Sequence, residues 1–252
     1  MPIPNLIAVL VAGWFALPDS NATLLMTMRW IHLLAGITWI GLLYFFNLVN
    51  VRFMQGLDAG TRAKVLPPLL SRALWWFRWS SLVAVLAGIA YWMTIVSTDA
   101  RNAQTSGGRA IGSFFVIWTV VWAIQYALVI PQKGPLSNGI VLGILLVILV
   151  GLASHFYLHL NSNGWESNRL LSIGIGGGLG WVLMLNVWGI VWRNNKKIIR
   201  WTQENATNGT PMPEKAQYLG RQSFLISRAS AWLTIPLLFF MGAASHYPLL
   251  GK

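Results

Sequence analysis

The chain contains no cysteine. Disulfides, thiolate metal sites, iron–sulfur ligation and covalent attachment of a c-type haem are thereby excluded. Charge is the second scarcity. Asp, Glu, Lys and Arg make up 10% of the 252 residues, against roughly 25% in a soluble domain. Acid is scarcer still: Asp19, Asp58, Asp99, Glu166, Glu204 and Glu214 are the whole complement, and all fall in loops or at the borders of apolar runs. A proton- or sodium-coupled carrier usually needs a carboxylate mid-membrane, so coupled transport is disfavoured. No convincing internal repeat is present.

What is abundant is hydrocarbon. Hydrophobic residues are 56% of the chain, in runs long enough to cross a bilayer. The sequence predicts an all-α, polytopic membrane helix bundle forming one integral domain over 1–252. Six spans are expected at about 24–47, 73–96, 110–131, 138–160, 169–192 and 229–247, with a polar loop over 193–228. The apolar stretch "IPNLIAVLVAGWFALP" (3–18) is shorter, is bounded by Pro2 and Pro18 and has no basic leader. It is expected to lie in the membrane interface, with a seventh span as the alternative.

The net charge of +12 would suit nucleic acid, but in a membrane protein it is better read as topology, and no nucleic-acid partner is expected. One set of flanks carries Arg52, Arg62, Lys64, Arg72 and Arg78, then Lys133, then the seven cations from Arg193 to Arg228. The other set carries Arg29, Arg101, Arg109, Arg169 and Lys252. The richer set is expected in the cytoplasm. Both termini then face the periplasm of a bacterial inner membrane.

On that topology all four histidines, His32, His155, His159 and His246, lie at the outer leaflet. Hydrocarbon offers an imidazole no partner, so the fold must satisfy these rings. His155 and His159 share a helix face at i, i+4. Gly36, Gly151 and Gly242 each lie one turn deeper than a histidine, and a porphyrin wedged between helices needs such small residues. Opposed imidazoles are a usual axial pair for b-type haem. The pattern therefore points to haem b, ahead of copper or zinc, with His32 and His246 as the favoured axial ligands. His155 could pair with either, or with a second haem through His159. Arg29 and Arg169 are placed to meet haem propionates. The bland alternative is that these are hydrogen-bonded interfacial histidines and helix-packing glycines.

Two further motifs have structural explanations. "ALWWFRWSS" (73–81) reads as an aromatic belt with a snorkelling Arg78. "GIGGGLG" (174–180) has GxxxG spacing within a span, which means close helix packing. Asn47, Gln125 and Asn186 are expected to hydrogen-bond between helices.

Four stretches carry a likeness to a known family: "WIHLLAGITWIGLLYFFNLVNV" (30–51), "RALWWFRWSSLVAVLAG" (72–88), "LNVWGIVWRNNKKII" (185–199) and "LTIPLLFFMGAASHY" (233–247). They resemble the membrane domain of the bacterial membrane-bound urate oxidase family, in which many members carry a C-terminal cytochrome c domain. His32, Gly36, Trp39, Asn186 and His246 fall on positions of the resembling motifs. The resemblance implies a redox protein with urate as a reductant. These 252 residues hold no cysteine to attach a c-type haem, so the cytochrome c domain is expected to be missing and the electron partner to be a separate cytochrome or a larger membrane complex. The expectation from another class is a non-catalytic accessory subunit of a respiratory or photosynthetic membrane complex, packed among lipids and partner helices.

Overall fold

The computed structural model describes residues 19–131, 134, 136 and 138–250. Residues 3–18, read above as an interfacial helix, lie outside the described residues. Six long helices account for nearly everything: α1 (Ser20–Gln55), α2 (Ala59–Asn102), α3 (Gly108–Val129), α4 (Gly139–Asn161), α5 (Asn168–Asn208) and α6 (Lys215–Ala243). All six are long and apolar enough to cross a membrane, and the described residues contain no strand. In hydrocarbon a helix satisfies its backbone internally, which is why apolar runs of this length fold this way.

Polar residues mark the helix starts. The Asp19 carboxylate accepts from Asn21 N and Ala22 N, both at 2.9 Å. Asp58 accepts from Thr61 N at 3.0 Å, and its hydrogen bonds to Thr61 hold the carboxyl below its ordinary range. Asn138 and Ser167 cap α4 and α5 through Ile140 N and Leu170 N. Each cap supplies an acceptor to a backbone N–H that has no partner within the helix.

The chain folds around α5. Within its spanning window 78% of residues are buried, against 33% or less for every other helix. Glycines make this possible. A Cβ on Gly174 would run into the Tyr157 ring of α4, and one on Gly178 into the Trp118 indole of α3. The close approach lets Trp118 Nε1 donate to Gly174 O at 3.0 Å, and Trp92 Nε1 of α2 donates to Leu170 O at 3.2 Å.

Four helices, α1, α2, α5 and α6, run well past the roughly 20 residues a span requires. The 44 residues of α2 and 41 of α5 project well beyond a bilayer, and α6 begins 14 residues before the expected span. Segment 193–228, expected as a loop, is in fact a helical hairpin. α5 continues to Asn208, turns at Gly209 with φ +68°, and α6 starts at Lys215. Only "GTPMPE" (209–214) is non-helical, and the φ is one that glycine adopts without strain. The hairpin is pinned by Asn194, whose amide donates to Gln222 Oε1 at 3.2 Å. The start of α2 packs against the extension of α5, with Pro67 buried, so the helix runs through Pro67–Pro68 instead of beginning after them.

Two of the helices contain a π-helical turn, Phe45–Asn50 in α1 and Val187–Trp192 in α5. Each accompanies an asparagine bonded to α6. Asn47 Nδ2 donates to Ser227 Oγ at 2.9 Å, and Asn186 Nδ2 to Ser230 Oγ at 3.1 Å.

At the opposite end the helix termini are tied together. Ser167 Oγ donates to Asp99 Oδ2 (2.7 Å), Asn161 Nδ2 to Ser113 Oγ (2.9 Å), and Asn168 Nδ2 to Ala244 O (3.0 Å). The four histidines all belong to this end, as the alternation of the helices requires. The projecting hairpin and its cations form the basic end.

Candidate functional site: a glycine-lined cavity beside His32

α1, α2, α5 and α6 do not close completely at the histidine end. Between them lies a cavity of about 510 Å³, within the usual range for cofactor and small-molecule sites. Its walls are mostly apolar or glycine, and include Gly36, Gly88, Gly176, Gly177, Gly180, Trp92, Leu237 and Met241. Arg29 and Ser245 also line it. Leu33, Ile37 and Leu238 line the cavity while remaining 56%, 70% and 45% exposed. The space therefore opens sideways between α1 and α6, toward where lipid would lie.

His32 is half-buried in this wall. Its Nδ1 lies 2.7 Å from Ala84 O. A carbonyl only accepts, so Nδ1 carries the proton and donates, and in the neutral ring Nε2 holds the free lone pair. The ring fits because position 88 is glycine: a Cβ there would lie 2.7 Å from Nδ1 and 2.9 Å from Cε1. This glycine closes one of the quoted motif stretches, yet only the helix pairing reveals its role.

Deeper in the cavity, Trp39 is 4% exposed and its Nε1–H has no hydrogen-bond partner. Trp39 is two turns from His32 on the same face of α1. Tyr44 is bonded to Thr234, with 2.7 Å between the hydroxyls. Thr234 spends its proton on Ala231 O at 2.6 Å, so Tyr44 is the donor.

The expected site residues divide. Arg29, His32 and Gly36 come together in the cavity, and a Cβ on Gly36 would meet nothing within 4 Å. His246 is exposed in the turn after α6, next to the cavity-lining Ser245. His155, His159 and Gly151 are exposed on α4, which packs against α3, α5 and α6, and Gly242 is exposed on α6. Among the described residues, no group of three or more His, Asp or Glu is placed to hold a bare metal ion.

The glycine run proves two-sided. Gly174 and Gly178 receive rings from α4 and α3, Gly176 lets α6 approach at Leu237 and Phe240, and Gly176, Gly177 and Gly180 line the cavity. The spacing foretold the packing but not the second face, because only the position of α6 decides where a void is left.

At the basic end, Arg78 lies among aromatic rings. Its Cζ is 4.0 Å from the Trp192 ring centroid and 5.2 Å from those of Trp79 and Trp188. Arg78 Nε and Arg228 Nε are buried without hydrogen-bond partners.

A helical membrane protein, with six apolar helices of spanning length among the described residues and an apolar cavity beside one fixed imidazole, is the class that fold and site define. The family follows from the sequence. The model of the family described as Urate oxidase N-terminal matches residues 55–252, and the chain belongs to that family. The match begins where α1 ends, so Arg29, His32, Gly36 and Trp39 precede it, while Gly88, the glycine run, Asn186 and His246 lie within it. No curated protein and no solved structure matches the chain.

Proposed function

We propose that this chain is the membrane part of a urate oxidase-like oxidoreductase, and that the cavity beside His32 holds its redox group, a b-type haem. The observation that carries this reading is the hydrogen bond from His32 Nδ1 to Ala84 O. Histidines that bind metals almost always donate their other ring N–H to a carbonyl or carboxylate, which fixes the tautomer and orients the ring. His32 meets that condition before any ligand arrives.

The remaining lining suits the same group. Glycines on α1 and α5 admit a flat macrocycle close to backbone. The apolar walls exclude water, and Arg29 at the rim is a partner for propionates. His246, in the turn beside Ser245, would be the second residue to hold the haem. Met241 already stands in the wall and offers a thioether of the kind that ligates haem elsewhere. His155 and His159 take no part in this site.

Bound there, haem supplies one-electron exchange. Urate, the reductant that the family implies, would be oxidised at the histidine end, and a separate periplasmic cytochrome would collect the electrons. The asymmetry of Lys and Arg supports the corresponding orientation in a bacterial inner membrane, with the basic end in the cytoplasm and both termini outside.

A reduced-minus-oxidised visible spectrum of the purified chain tests this. The expected result is a b-type band that is lost in His32→Ala. Loss in His246→Ala as well identifies the second ligand, whereas loss in Met241→Leu assigns it to the thioether. A colourless wild-type chain purified from haem-replete cells would overturn the reading.

A further inference from the structure

We propose that Arg78 and the tryptophans around it form a binding site for the phosphate of an anionic phospholipid at the basic end of the bundle. This inference is independent of any haem. It rests on an excess of hydrogen-bond donors with nothing to receive them.

Arg78 is half-buried on α2. An arginine at a membrane border ordinarily extends its head to water. Here the guanidinium is folded back, 4.0 Å over the Trp192 ring and 5.2 Å from Trp79 and Trp188. Its Nε is buried and has no partner. Among the described residues no carboxylate is paired with Arg78. Trp188 Nε1–H, on one of the same rings, is buried and unpartnered too. Aromatic faces attract the cation but accept few of its hydrogen bonds. A buried N–H without an acceptor is costly, and both Arg78 Nε and Trp188 Nε1 are in that position. The group that would satisfy this cage is an anion with several acceptor oxygens, which is what a phosphate presents to arginine.

The surroundings select lipid as its source. Trp75, Trp76 and Trp79 are 47%, 59% and 40% exposed beside Arg78, a flank for acyl chains rather than for water. Lys196 lies one helical turn beyond Trp192 at i, i+4 and is exposed. It places a second cation on the same face of α5, at headgroup level. A headgroup held between Arg78 and Lys196 leaves its chains against the tryptophans.

The test is native mass spectrometry of the full chain released from detergent, titrated with phosphatidylglycerol or phosphatidylcholine. Wild type is expected to retain phosphatidylglycerol in preference to phosphatidylcholine. Arg78→Gln should lose about fivefold in phosphatidylglycerol affinity and with it most of the preference over phosphatidylcholine. Arg78→Lys should recover part of the loss. Lys196→Gln, an exposed change that leaves the fold alone, should weaken phosphatidylglycerol binding by a similar factor, so the proposal stays testable if Arg78→Gln fails to fold. Equal retention of the two lipids by wild type would overturn it. So would unchanged phosphatidylglycerol binding in both Gln variants, or competition by inorganic phosphate or urate at millimolar concentration, which would make the cage a site for a free anion.

Discussion

An alanine at position 88 would set its Cβ 2.7 Å from His32 Nδ1, closer than folded proteins allow. The imidazole would have to leave Ala84 O, and with that bond goes the fixed tautomer. Gly88→Ala is therefore expected to cost about 1–3 kcal/mol from overpacking beside the lost hydrogen bond. It should also diminish any band that depends on His32. Gly36→Ala is the control, since its Cβ would meet no protein atom within 4 Å and would intrude only on what occupies the cavity. Thermal unfolding in detergent together with the visible spectrum checks both. A Gly88→Ala protein as stable as wild type, with an unchanged spectrum, would remove the packing argument. At this scale the sequence exposed the unusual residue, His32, but not the residue that makes room for it. A histidine in an apolar run is conspicuous, whereas one glycine among 24 is not.

At the scale of the helices, polar side chains tie α1 and α3 to α5 and α6 beside the two π-helical turns. Such turns are rare and frequently accompany functional positions. Here both adjoin an asparagine that reaches a serine of α6. Asn186 is fully buried, and so is Gln125 of α3, 3.4 Å away. Gln125 Nε2 and Asn186 Oδ1 are left without partners, a donor and an acceptor suited to a bridging water. Polar contacts between membrane helices contribute modestly, ~0.6 kcal/mol on average and up to ~1.7. A double-mutant cycle on Asn186→Ala and Ser230→Ala, read by unfolding in mixed micelles, should give a coupling in that range. A coupling indistinguishable from zero would mean that the pair touches without holding the helices together. The sequence indicated that Asn47, Gln125 and Asn186 bond between helices. It could not indicate the π turns, because an inserted residue shifts the register of a helix without altering its composition. Helix ends were the least legible elements. The apolar runs mark where lipid stops, but α2, α5 and α6 continue past that border, held by contacts with one another such as Asn194 to Gln222.

For the whole molecule, the arrangement of charge and cavity defines two unlike ends. The cavity, all four histidines and the tied helix termini occupy one. The projecting helices and most of the cations occupy the other, where a surplus of Lys and Arg favours retention on the cytoplasmic side. The architecture was legible because six apolar runs and the lysine–arginine bias are properties of segments. Which helices surround the cavity was not, because it depends on α5 being the one wrapped by the others, and glycine spacing alone does not specify which neighbours fill its notches. The absence of cysteine makes the orientation directly measurable, since a single introduced thiol is the only one in the chain. Cysteine at Gly209, in the turn of the hairpin, is expected to resist a membrane-impermeant maleimide in intact cells and to react after permeabilisation. Cysteine at Ser162, just beyond α4 at the histidine end, is expected to react in intact cells. The reverse pattern would place the cavity mouth in the cytoplasm. A periplasmic cytochrome could not then reach it, and the electron partner would have to be sought on the other side of the membrane.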